Sequence, residues 1–397
     1  MKKDLYKIGE LYCGPGGLAL GSHFASIKNK KKDIKFAHVW ANDYDYWSCT
    51  TFNRNIFGNK GLIISFQELE KIVDKKEFES KNLIINDDIK KIKVQHIDRL
   101  EDIDGFVYGF PCNDFSIVGE SKGINGKFGG LYSYGIEIIK RKKPLFIVAE
   151  NVGGIRSSND GKAFDQILTE LRYPWGNNSK LFYNLSVHLY KAEDYGVPQK
   201  RHRIVIVGFR SDSGLEFKVP AVTHTPNKFI SVKTALKHIP KNTANNEFTK
   251  QSDVVVERLK RIKPGYNAWN SGLTGELALK VKGAKLSQIY RRLHPDEPSY
   301  TITGSGGGGT HVYHWEEPRA LTNRERARLQ TFPDNFIFEG NKESVRKQIG
   351  MAVPPKLATI IFEAILKTIY GEKYNFIENG NLSDRLNNVQ NNLFEET

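Results

Sequence analysis

The sequence predicts an open α/β fold, a doubly wound and mostly parallel sheet, joined to a smaller basic domain. Three observations carry this. Short apolar runs alternate with longer mixed stretches, polar candidates for chemistry follow each run, and the alternation stops near residue 210. The runs are Ile8 to Tyr12, Phe36 to Trp40, Leu83 to Ile85, Phe106 to Phe110, Leu145 to Ala149 and Ile204 to Val207. Continuous apolar runs fit parallel strands covered on both faces, and most intervals are long enough for crossover helices.

The residues just past each run are specific. After the first comes Gly14-Pro15-Gly16-Gly17, after the second Asn42-Asp43, after the third Asp87-Asp88, after the fourth Pro111-Cys112 and after the fifth Glu150-Asn151. The carboxyl edge of such a sheet is where ligands bind. From Ser211 to Tyr290 the chain holds 13 Lys/Arg against 6 Asp/Glu, a net of +7 out of +14 for all 397 residues. This predicts a separate recognition domain, or else a solvated insertion. The expected division is 1–209, then 210–340 with a hinge at the glycine run Gly304–Gly309, then 341–397 returning to the first domain with a mobile tail.

Composition narrows the class. Lysine and arginine number 59 against 45 acidic residues, which suits a polyanion partner. The three cysteines, Cys13, Cys49 and Cys112, form no Cys-x-x-Cys pair, so neither a disulfide framework nor a cysteine-rich zinc site is expected, and no metal is. The polar start and the lack of an 18-residue apolar stretch predict a soluble, cytoplasmic protein with no membrane span.

The chemistry-bearing residues form a sequence of roles. Gly14, Gly16 and Gly17 permit a tight turn and close approach of a cofactor to the backbone. Asp43 is placed to accept from ribose hydroxyls and Asp88 from an adenine amine, although each is also an ordinary helix cap. Together they describe an adenosine-containing cofactor, either a nicotinamide dinucleotide or S-adenosylmethionine. Cys112, in a loop after a strand and preceded by proline, is set like an exposed nucleophile, not a core thiol. Glu150, behind an apolar run, is placed to hold a raised pKa and donate a proton. In Gln199-Lys200-Arg201-His202-Arg203, alternation sends Arg201 and Arg203 to one side, as guanidinium donors or as a basic strand edge.

This ordered set resembles the DNA cytosine-5 methyltransferase family of bacterial restriction-modification systems. Tyr12-Cys13-Gly14-Pro15-Gly16-Gly17 is similar to its cofactor loop, Gly109-Phe110-Pro111-Cys112 to its nucleophile motif, and Glu150-Asn151-Val152 and Gln199-x-Arg201-x-Arg203 to the next two motifs in order. Leu321-Thr322-x-Arg324-Glu325-x-Ala327-Arg328-Leu329-Gln330-x-Phe332-Pro333 and Gln348-Ile349-Gly350-Met351-Ala352-Val353-Pro354 continue the match, which spans about 5 to 368 except the basic segment. Asn113, Met351 and Tyr12 depart from the usual glutamine, asparagine and phenylalanine, and Asp114 is unusual.

The resemblance implies a Rossmann-like methyltransferase fold and S-adenosyl-L-methionine as cofactor, bound by Tyr12, Gly14, Gly16, Gly17, Asp43, Tyr44, Asp88 and Ile89. It implies catalysis by Cys112, Glu150, Arg201 and Arg203: the thiolate adds to C6 of a flipped-out cytosine, Glu150 meets N3, Arg203 meets the base oxygen, and Arg201 braces the loop. It further implies double-stranded DNA as substrate, read by residues 211–290, with Arg258 to Lys263 as a phosphate grip or a solvated helix face. A monomer is expected, paired in function with a restriction endonuclease. A transfer-RNA methyltransferase predicts a short insert before Leu321, whereas the gap from Arg203 exceeds 100 residues. A nicotinamide oxidoreductase has no need of Pro111-Cys112, and a catalytically dead DNA-binding protein none of Cys112 and Glu150 together.

Overall fold

The computed structural model describes residues 2–29, 32–72, 81–111, 129–304 apart from 280–286, 308–378, 380 and 382; the side chains at 29, 129, 157–160 and 308 fall outside that description. The chain divides into two compact units: Met1–Lys191, His202–Ala221 and Ala358–Thr397 form the first, and Ala192–Arg201 and Val222–Leu357 the second. These borders differ from those drawn on composition, because a shift in charge does not follow the contacts. Val219–Pro220 (β11) pairs with Phe376–Ile377 (β13), both in the first unit.

The first unit is an α/β sheet. Its strands are β1 (Leu5–Leu11), β2 (Ser26–Asn29), β3 (Lys32–Asp43), β4 (Leu62–Ile64), β5 (Leu83–Asn86), β6 (Gly105–Gly109), β7 (Phe146–Val152), β8 (Tyr183–Lys191) and β10 (His202–Arg210). They lie in the order β4-β5-β3-β1-β6-β7-β10-β8, with β2 against β3. The run from β4 to β7 is parallel; β10 and β8 are antiparallel. Strand order reverses at β1, whose neighbours are β3 and β6, so the switch point lies between β1 and β6. The helices are α1 (Gly17–Phe24), α2 (Tyr46–Ile56), α3 (Phe66–Lys71), α4 (Val94–Arg99), α5 (Tyr132–Lys142), α6 (Lys162–Arg172) and most of α11 (Pro355–Tyr370). Side chains of β1, β3, β5, β6 and β7 join Ile136, Ile139, Phe164, Ile167 and Leu168 in one apolar cluster.

All six sequence-derived runs are strands. The sixth, β10, is antiparallel; β2 and β8 carry no continuous apolar run that announces them, and β4, the apolar run Leu62–Ile64, is not among the six.

The second unit is loop-rich. Among its described residues the regular elements are β9 (Gln199–Lys200) paired with β12 (Ser299–Tyr300), and the short helices α7 (Val232–Ala235), α8 (Asp253–Arg261), α9 (Asn323–Leu329) and α10 (Lys342–Met351). It has two small cores, Val232, Leu236, Leu293, Ile302, Val312, Leu321 and Leu329 in one, and Leu259, Ile262, Ala268, Tyr290, Tyr313 and Ala320 in the other. The stretch Lys342–Tyr370 is apolar and long enough to cross a membrane, and 72% of its most apolar window is buried inside the protein, as in a core helix.

Candidate active site

The carboxyl edge of the parallel sheet gathers the candidates that belong to the first unit. β1 ends at Leu11 and the chain turns through Tyr12, left-handed at φ 56°, whose hydroxyl donates to the Leu131 carbonyl at 2.8 Å. Gly14 (φ 51°) and Gly16 (φ 96°) are both left-handed. A Cβ at Gly14 would meet nothing within 4 Å, so this glycine is required by the backbone and leaves space beside it. Gly16 is the N-cap of α1, and Gly17 begins that helix.

Asp43, the last residue of β3, holds this turn. Its Oδ2 accepts from the Gly14 amide and its Oδ1 from the Asp45 amide, each at 2.9 Å. Tyr44 follows with its ring 62% exposed, a flat apolar face at the strand edge. Asp88 caps the short turn Ile89–Lys91 by accepting from the Lys90 amide at 3.0 Å. Ile89 is buried in the sheet core, so its side chain faces inward. A glycine turn with open space, two carboxylates and an exposed aromatic at neighbouring strand ends fit a nucleoside: hydroxyls and amines for the acids, a base for the ring.

A second group lies one strand further. Glu150 pairs in register with Gly109 of β6, and a Cβ at Gly109 would come 3.1 Å from Glu150 Oε2. β10 runs antiparallel to β7, so it starts where the parallel strands end and sets Arg203 opposite Val152. Arg203 Nε then donates to Glu150 Oε1 at 2.9 Å, with both side chains 12% exposed. Asn151 donates to the Phe110 carbonyl at 3.1 Å and accepts from the Val152 amide at 2.7 Å, pinning the chain just before Pro111.

Cys112, Asn113 and Asp114 lie outside the described residues. The other two thiols are unsuited to nucleophilic attack. Burial pushes both Cys13 and Cys49 upward, which favours the inert thiol over the thiolate.

Arg201 and Arg203 have different partners. Arg201 is fully buried in the second unit, donating to the Ile302 carbonyl at 3.0 Å and the Gly350 carbonyl at 2.9 Å. Gln199 beside it accepts from the Ile302 amide and donates to the Leu329 carbonyl. β9 ends at Lys200 and β10 starts at His202, so Arg201 sits at a break in the strand.

The sequence reading missed Gly109 and Asn151 as supports. A glycine at a strand end, in register with an acid on the next strand, is the signal that finds the first; the second needs the Phe110 contact itself.

Comparison with known proteins accords with this geometry. Residues 6–367 match the family model described as C-5 cytosine-specific DNA methylase. The chain is 50% identical to the Type II methyltransferase M.BbvI of Brevibacillus brevis, over 93% of each protein. It is 37% identical to the Type II methyltransferase M.NgoFVII of Neisseria gonorrhoeae, over 94% of this chain and 89% of the other. The solved structure of the Entamoeba histolytica methyltransferase EhMeth shares the fold with a TM-score of 0.59 at 13% identity, over 93% of this chain and 99% of the other. The chain belongs to the C-5 cytosine-specific DNA methylase family and is a DNA (cytosine-5-)-methyltransferase.

Proposed function

We propose that the protein transfers a methyl group from S-adenosyl-L-methionine to C5 of a cytosine within a specific double-stranded DNA sequence. It acts as a monomer and protects that site from a partner restriction endonuclease. The observation that carries the reading is the Glu150–Arg203 pair at 2.9 Å, held at the sheet edge beside the chain that leads into Cys112.

The cofactor, when bound, supplies an electrophilic methyl group. Gly14, Gly16, Gly17 and Tyr12 shape its seat, Asp43 and Asp88 accept from its polar groups, Tyr44 offers a ring to its base, and the turn at Ile89 closes that edge. The base enters unstacked, at a cost of about a few kcal/mol. Cys112 thiolate would form a bond to C6 and shift the ring's electrons to C5, which would take the methyl group as its bond to the sulfonium sulfur breaks and S-adenosylhomocysteine is left. Glu150 hydrogen-bonds the N3 side of the ring and Arg203 its oxygen, so that charge developing on the ring meets fixed partners. Loss of the C5 proton to a base then expels Cys112. Arg201 acts at one remove: it ties residues 302 and 350 together and positions the segments around them. The second unit is the target-recognition domain in this reading.

Bisulfite sequencing of DNA exposed to protein and S-adenosylmethionine tests the reaction, the base and the site together. A substrate carrying 5-fluorocytosine is expected to trap a covalent adduct through Cys112, and Cys112→Ala to abolish both transfer and trapping while cofactor binding persists. An active preparation that yields no adduct refutes the covalent route.

A further inference from the structure

Buried arginines of the second unit share a use. Arg201, Arg258, Arg292 and Arg324 all donate to main-chain carbonyls. Arg326 does not. It is 3% exposed on α9, and its side chain makes a single hydrogen bond among the described residues, from Nη2 to His311 Nδ1 at 3.4 Å. A guanidinium has five N–H donors, and a buried cation without a counter-charge is costly.

The anion within electrostatic reach, Glu325, is already engaged by other groups. Burial and the two neighbouring guanidiniums hold His311 at about 4, so it is neutral at physiological pH. Tyr300 and Tyr313 are pushed upward by burial and stay protonated. Glu325, next along the helix, is committed: it accepts two bonds from Arg319 at 2.8 Å and one from the Thr322 amide at 2.7 Å. Arg346 on α10 adds a second cation within electrostatic reach of Arg326 and His311. Its Nε is buried with no hydrogen-bond partner, and its Nη2 is 3.8 Å from Glu343, an 84% exposed carboxylate. Burial lowers Arg326 only to about 10, so it stays charged at neutral pH. His311 follows the turn Gly308–Thr310, and Arg346 stands one turn before Gly350, whose backbone lies against Gly304. The cluster therefore sits by both described ends of the glycine run.

Two forked cations, a neutral imidazole and unused donors fit a tetrahedral oxyanion. We propose that Arg326, Arg346 and His311 form an anion site in the second unit that takes one backbone phosphate of the DNA substrate. The inference rests on the reading of the protein as a DNA methyltransferase; what it adds is the residues that hold the phosphate.

Arg346→Gln is the deciding variant, since that side chain is partly exposed and its Nε has no bond to lose. Arg326→Gln is the companion. DNA affinity is measured against salt concentration, with thermal melting in inorganic phosphate alongside. Each variant is expected to bind DNA about tenfold more weakly at low salt. Each should also flatten the log–log salt slope by about 1. A scan of DNA with single neutral methylphosphonates should find one position that weakens wild-type binding and leaves Arg346→Gln unaffected. A folded Arg346→Gln with unchanged slope and an unchanged scan overturns the proposal. So does stabilisation of the wild type by inorganic phosphate with no effect on slope or scan, which assigns the site to a free anion. If Arg326→Gln fails to fold, Arg346→Gln decides alone. Failure of the underlying reading is separate: the wild type would leave DNA unmethylated in bisulfite sequencing.

Discussion

In the sheet unit, backbone ladders place the residues of the site. Asp43 is where β3 stops beside β1, and Glu150 and Arg203 meet because β10 runs back along β7. In the second unit the described ladders amount to β9 with β12 and two isolated bridges, and side chains take over the task. Arg324 donates to the carbonyls of Ala244, Pro333 and Phe336. Arg292 serves His314, Leu259 and Ile262, and Arg328 serves Lys237 and His238. Buried carbonyls must be satisfied wherever the chain runs, and a loop-rich unit does it with guanidinium donors. The basic excess read from composition as attraction for a polyanion is thus partly consumed inside the protein.

The largest expected effect breaks this contrast at its centre. Arg324→Leu leaves three carbonyls, one buried and two part-buried, without their donor, at a cost of about 4 kcal/mol. Hydrogen exchange is expected to quicken across 222–357 while β1, β3 and β6 stay protected. Equal loss of protection in both units would mean that they fold as one, and that the carbonyl contacts carry no special weight.

The next effect belongs to the sheet. His188 on β8 is buried, and desolvation lowers it to about 4 from 6.5. Between those values the unfolded chain holds a proton that the folded chain does not, so stability rises with pH in that window. It is complete above pH 6.5 and is lost as pH falls toward 4, by about 3 kcal/mol. Denaturant melts of the wild type and His188→Gln across about pH 4–7 check this; a slope in pH unaltered by the substitution assigns acid sensitivity elsewhere.

These two regions also explain what was legible in the sequence. Five of the parallel strands were readable because each carries an apolar run; the sixth, β4, was not read although Leu62–Ile64 is apolar throughout. β8 was not: apolar and polar residues are mixed along it, its burial follows no regular alternation, and its place depends on β10. Asp43 and Glu150 were legible as strand-end acids, whereas the bond from Asp43 to the Gly14 amide and the approach of Arg203 need the register of partner strands. In the second unit the motif Leu321 to Pro333 was readable as a pattern and not as a purpose. That purpose is a clasp: Thr322 and Glu325 form a capping box, and Arg324 and Asn245 tie the insertion to Phe336 and Phe338.

Gly14→Ala gives a smaller effect confined to the cofactor edge. The left-handed backbone there strains an alanine by about 1 kcal/mol, with no clash added because the Cβ points into open space. Titration calorimetry is expected to show weaker S-adenosylmethionine binding with the melting temperature lowered by a few degrees. Unchanged binding would move the cofactor away from this turn.

The smallest effects on stability test the charge argument most directly. In the run Arg258 to Lys263, adjacent residues have opposite fates. Arg258 is buried, donates to the Leu277 carbonyl at 2.9 Å and lies over the Tyr290 ring at 4.7 Å, so it cannot also grip a phosphate. Lys260 is exposed and paired with Glu257, and such a surface pair contributes about 0–1 kcal/mol. Arg261 and Lys263 are exposed. Alanine at either of these two is expected to leave the melting temperature unchanged and to lower the salt slope of DNA binding by about 1 if that residue meets a phosphate. Arg258→Ala should do the reverse, lowering the melting temperature and sparing the slope. If the slope instead responds to Arg258 and not to its exposed neighbours, the division between arginines that hold the fold and cations that face the substrate is wrong for this helix.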